Sequence, residues 1–168
     1  MAKKRAQIWG IDLLAGMALF LVGIVILFTY SLNQPDEARE NFDFLFYDGG
    51  IIANNLMSSG YPANWNSDDV ITLGISDDNK INESKLGKLY DMVYMDNNYS
   101  LTKNLFHTQY DYYFFLDQNM TINSAEIDGI GKPGTTRDSV DSKNLIKITR
   151  FTIYKNKTTP LYVYIWES

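Results

Sequence analysis

The sequence predicts an α+β protein, with a long N-terminal membrane/amphipathic helix packed on a mainly antiparallel β-sheet head. Three observations predict it. Residues 13–30 carry no charge, and Asp12 is the only charge between Ile8 and Tyr30. The stretch PDEARENFDFLFYDGGIIANNLMSSG then places Phe42, Leu45, Phe46, Ile52 and Leu56 near one helical face. Finally, NLIKITRFTIYKN and PLYVYIWE alternate in the manner of half-buried strands.

Size and charge bound what such a chain can do. Its 168 residues suffice for one domain with a core and an appendage. Lys3, Lys4 and Arg5 precede the apolar run, while residues 31–168 hold 12 basic and 19 acidic side chains. An acidic body repels phosphate backbones, so no nucleic-acid partner is expected. The absence of cysteine excludes disulfides, thiolate nucleophiles and Cys-type zinc sites.

The first element is a single membrane helix. At about 1.5 Å per residue, 18 uncharged residues span roughly 27 Å, close to the ~30 Å of a bilayer core. Basic residues lie before it and SLNQPDEARE after it, so the positive-inside rule keeps the N-terminus cytoplasmic and exports the body. Three readings fit these residues. One is a secretory signal cut near Thr29-Tyr30-Ser31, although the apolar run is longer than an ordinary signal core. Another is a permanent, uncleaved anchor. The third rests on Lys4-Arg5-Ala6-Gln7-Ile8, a basic pair and a small residue directly before the helix.

That pentapeptide resembles the class III signal of archaeal type IV pilins and pilin-like proteins. The resemblance covers about 25 N-terminal residues. It implies a prepilin-type signal peptidase reading Lys4, Arg5, Ala6 and Gln7 and cutting after Ala6, which leaves Gln7 at the head of a retained helix. It also implies a cell-surface subunit that joins like or related pilin subunits in a filament. Members of the family carry an acid five residues into the mature chain; here that place is Ile11 and the acid is Asp12. A one-residue shift turns a side chain by about 100° around a helix. Asp12 is therefore either the assembly acid in an altered registry or an interfacial residue wetted by headgroup water. Gly16 and Gly23, seven apart, lie on one face, where small residues permit close helix packing in lipid.

The remaining elements follow in order. Pro35 suits a first helical turn or a kink, and Gly49-Gly50 weakens the middle of the second helix. GYPANWNSDD is turn chemistry, and VITLGI (70–75) reads as a short strand. Asn82 can cap a helix over ESKLGKLYDM, and Ser100 can start another through His107. Strands are expected over 110–117, 120–127, 144–156 and 160–167, with NKTT turning the last pair into a hairpin. DGIGKPGTTRDSVDSK (128–143) has almost no apolar content and reads as an exposed loop. The expected organisation is a leader over 1–6, a transmembrane helix over 7–30, an amphipathic stem over 31–60 and an extracytoplasmic head over 61–168.

Catalytic and metal signatures are weak. GIGKPGTT departs from a phosphate loop because Pro133 removes a backbone N–H needed there. DDNKINE lacks the spacing of a calcium loop. His107 is the only histidine, which excludes a His-rich zinc site and leaves it as a helix-surface residue. No enzyme activity, cofactor or metal is expected. Asn82, Asn98, Asn119 and Asn156 each begin an N-x-S/T sequon, so each is a possible N-glycosylation site on an exported surface. The rival to the pilin-like reading is a permanently anchored single-span surface binding or adhesion module that forms no filaments.

Overall fold

The computed structural model describes residues 3–32, 37–140, 142 and 144–167; side chains are described at Gly10, at 12–32, and from 42 onward within those spans. Two compact units divide the chain, Met1–Glu37 and Ala38–Ser168. The first is a single helix, α1 (Lys3–Leu32). Within it, Asp12–Leu32 is long and apolar enough to cross a membrane, at 21 residues or about 32 Å. The places where a kink at Pro35 was expected, and the leader residues Met1 and Ala2, lie outside the described residues.

The second unit is built on α2 (Glu37–Leu56) and a six-stranded sheet. Its strands are β1 (Ser76–Asp77), β2 (Lys80–Ile81), β3 (Asp111–Leu116), β6 (Ile130–Gly131), β7 (Leu145–Tyr154) and β8 (Lys157–Trp166). They lie in the order β1-β2-β7-β8-β3-β6, all neighbours antiparallel except β2 with β7. A separate hairpin joins β4 (Met120–Ile122) to β5 (Ala125–Ile127). Two short helices, α3 (Glu83–Tyr90) and α4 (Tyr99–Leu105), flank a π-helical turn at Asp91–Met95.

The main core fills the space between the helices and one face of the sheet. Leu45, Ile52, Ala53 and Leu56 of α2 are fully buried with Leu86, Leu89, Phe106, Tyr112, Phe114, Val163 and Ile165. Gly49 lets α2 approach β7 and β8 closely: a Cβ there would sit 2.9 Å from both Ile148 Cδ1 and Ile165 Cγ2. The glycine that was expected only to weaken the helix is the contact point that seats it. Phe42 and Phe46, expected on the core face, are exposed, as are Phe44 and Tyr47, and the buried positions of α2 among the described residues are 45, 49, 52, 53 and 56.

Several elements depart from the sequence expectation for identifiable reasons. Residues 70–75 form no strand. Their hydrogen bonds go elsewhere: Tyr61 donates to Thr72 O, Ile75 to Leu56 O, and Trp65 Nε1 to Gly74 O, each at 2.9–3.2 Å. The 120–127 strand is a hairpin, because Asn123 and Ser124 both take positive φ, 50° and 66°. The last hairpin turns at Lys155-Asn156 alone, so the Thr-Thr of NKTT belongs to β8. Asn82 caps α3 as expected, accepting from the N–H groups of Ser84 and Lys85 at 3.0 and 3.2 Å.

The 128–143 segment is less exposed than expected. Ile130 and Gly131 are buried, and β6 pairs with β3 through Tyr113↔Gly131 and Phe114↔Ile130. The glycines serve this approach: a Cβ at Gly129 would lie 2.5 Å from the Tyr113 ring, and one at Gly131 would lie 2.2 Å from Tyr112 O. The segment then crosses the outer sheet face, where Val140 packs with Tyr113, Phe115 and Trp166.

Candidate functional site

The apolar helix is the first candidate. In the unit it forms, every described side chain between Asp12 and Leu32 is exposed. An apolar surface of this length, 0% buried, needs lipid or another apolar surface around it. Thr29 removes its own polar cost by donating to Val25 O at 2.8 Å and Ile26 O at 2.9 Å within the helix. Around Gly23, the side chains of Phe20, Ile24 and Leu27 line an apolar notch of about 270 Å³. Gly16 and Gly23 meet nothing within 4 Å in this single chain. Asp12 stands at the start of the span and is exposed. The backbone of Lys4, Arg5, Ala6 and Gln7 belongs to α1, while their side chains lie outside the described residues.

Among the described residues, the head holds three charge networks, and each ties one segment to another. Asp111, 4% exposed, accepts from Tyr99 Oη at 3.1 Å and pairs with Lys103 at 3.2 Å and with Lys132. Tyr99 Oη in turn accepts from the Tyr112 N–H at 3.0 Å. Burial, with the Asp111 charge beside it, pushes the Tyr99 hydroxyl well above the usual tyrosine range, and burial does the same to Tyr112 and Tyr113. These phenols stay protonated donors. The lysines from α4 and from the segment after β6 thus converge on one carboxylate at the start of β3.

The second network joins Asp128 to Arg137, with Tyr113 Oη donating to Asp128 at 3.1 Å. Partial burial would raise the Asp128 carboxyl, but the Arg137 backbone and guanidinium with Tyr113 outweigh it and hold it low. The third joins buried Lys85 to Asp77 at 2.6 Å, with Lys85 Nζ also donating to Ser59 O at 3.1 Å. Lys85 and the Asn82 amide hold the Asp77 carboxyl below its ordinary range. Within DDNKINE, Asp77 is therefore spent on the ion pair and Asn82 on the helix cap, while Asp78-Asn79 form a hairpin turn. Lys132 of GIGKPGTT is likewise spent on Asp111.

His107 is not within a helix. It follows α4 with φ 56° and opens onto a cleft of about 380 Å³ shared with Phe44, Asp48, Gln109 and Tyr110. Among the described residues, no three His, Asp or Glu side chains gather as metal ligands would. The four sequons are dispersed over the head. Asn98, Asn119 and Asn156 are exposed, Asn156 at the tip of the β7–β8 turn. Asn82 is half-buried and its Nδ2, the atom a glycan would occupy, donates to Asp77 at 2.8 Å.

The outer sheet face was not anticipated from the sequence. Phe115 stacks with Tyr162 and Tyr164 at centroid distances of 5.2 and 5.0 Å, and Lys147 Nζ lies 3.9 Å from the Tyr162 centroid. Strand alternation carries the signal, since Tyr162, Tyr164 and Trp166 share one parity and Tyr113 and Phe115 share another that faces them. Comparisons with protein-family models, curated proteins and solved structures returned no match.

Proposed function

We propose that this chain is a type IV pilin-like cell-surface subunit, processed after Ala6 by a prepilin-type signal peptidase and retained in the membrane by its first helix. Its head lies outside the cell and its role is assembly into, or association with, a pilus-like filament, with no bond chemistry of its own. The observation that carries this reading is the order of the N-terminus: Lys4-Arg5-Ala6-Gln7 stands directly before a helix whose described side chains are all exposed over Asp12–Leu32. Supporting it, the buried face of α2 seats on a mainly antiparallel sheet, an arrangement compatible with the α+β plan of pilins. The proposed glycan sites are Asn98, Asn119, Asn156 and, less accessible, Asn82.

Mass spectrometry of the protein extracted from native membranes tests the processing step. The expected first residue is Gln7, and an intact start at Met1 or Ala2 would overturn it. One observation favours the rival reading of a permanently anchored adhesion module, namely that the acid is Asp12 and position 11 is Ile. Filaments sheared from cells and probed for this chain separate the two. A Gln7-started chain that is absent from every filament fraction would support a minor pilin-like component or the anchored module.

A further inference from the structure

The sheet has one long edge that the head leaves open. On β7, Ile153 donates its N–H to Asn79 O at 2.9 Å, so its main chain points away from β8. Strand alternation turns the N–H and C=O groups of Leu145, Lys147, Thr149 and Phe151 the same way. The neighbouring strand β2 pairs with β7 only at Ile153. Among the described residues, none of these four N–H groups has a backbone partner, and the one contact on their carbonyls is Arg150 Nη1 to Thr149 O at 3.2 Å. Lysines commonly guard such an edge. Here Lys147 is drawn over the Tyr162 ring on the neighbouring strand, and Phe151 stands 65% exposed.

We infer that this edge pairs antiparallel with the same edge of a second copy of the chain, about a two-fold axis at Ile148. The sequence of the edge selects both partner and register. Only the four outward-facing residues can exchange hydrogen bonds, which restricts a two-fold pairing to a few centres. A centre at residue 147 sets Lys147 against itself, and a centre at 149 brings in Ile153, already held by β2. The centre at 148 uses all four residues of each copy. It sets Leu145 opposite Phe151 twice and Lys147 opposite Thr149 twice, with no like charges facing. Arg150 gives up Thr149 O when the strands meet. This pairing needs only the head and stands whether or not the chain is a pilin-like subunit.

The chain has no cysteine, so engineered cysteines read the register directly. Full-length Lys147→Cys and Thr149→Cys chains, carrying different tags, are mixed in detergent micelles and oxidised. The expected product is the mixed disulfide, several-fold in excess of either homodimer, since opposed residues lie about 5.5 Å apart at Cα and diagonal ones farther. Phe151→Pro added to both chains removes an outward N–H that β8 does not use, and is expected to cut the mixed disulfide roughly tenfold while circular dichroism stays unchanged. Should that variant unfold, Leu145→Pro at the other end of the edge replaces it. Absence of the mixed disulfide, equal homodimer yields, or a yield that survives the proline would overturn the pairing. So would cross-linking in native membranes that captures a different protein at this edge in place of a second copy.

Discussion

A methyl group added at Gly49 and one added at Gly50 should act in opposite directions. At Gly49 it meets Ile148 and Ile165 at 2.9 Å, whereas at Gly50 it meets nothing within 4 Å. Gly49→Ala is expected to destabilise the head by about 1–2 kcal/mol through overpacking, net of its gain in helix propensity. Gly50→Ala is expected to stabilise it by roughly 0.5–1 kcal/mol. Urea unfolding of both variants checks the pair. Asp77 gives a second residue-scale prediction. Its folded pKa is lowered by Lys85 and Asn82, so its contribution is complete above the ordinary carboxylate value and is lost as pH falls through the folded value. Asp77→Asn should therefore weaken the fold at pH 7, and by progressively less as pH falls through the folded value. Unfolding midpoints of wild type and variant across that interval give the test.

The elements whose stability is local were legible in the sequence, and those fixed by tertiary partners were not. Asn82 announces α3 because its side chain satisfies the first N–H groups within three residues. The strands β7 and β8 announce themselves by alternation, since one face meets the core and the other does not. By contrast, the 70–75 segment has strand composition, but its hydrogen bonds run to Leu56, Tyr61 and Trp65, which composition does not reveal. The tight turns at Asp78-Asn79, Asn123-Ser124 and Lys155-Asn156 all have positive φ at both positions and contain no glycine, so the usual Asn-Gly signal is missing. Replacing Lys155-Asn156 by Asn-Gly should relieve that strain and raise stability by about 1 kcal/mol, read as a higher melting temperature. The same reasoning explains why Pro160 is tolerated in a central strand. It pairs with Phe151, whose main chain points away from β8, so the N–H that proline lacks would have pointed away from β7, past the end of β3 at Leu116.

Across the whole molecule, the two units divide the labour. The head has its own core, from Leu45 to Ile165. A chain starting at Glu37 should therefore unfold in one cooperative transition and remain in the supernatant after ultracentrifugation of membranes. The full chain should sediment with them and resist carbonate extraction. Of the candidate site, the apolar span could be read from residue order, because it depends on sequence-local chemistry, and the proposed signal at Lys4-Arg5-Ala6-Gln7 rests on residue order alone. The open edge of β7 could not, because a strand becomes an edge only through what fails to stand beside it. That edge has a further consequence. A surface that is its own complement is exhausted when two copies meet, so it can brace neighbouring anchors into pairs or tie one row of subunits to another, yet it cannot lengthen a row. Growth of the proposed filament in one direction would need a contact whose two sides differ, which this edge cannot supply.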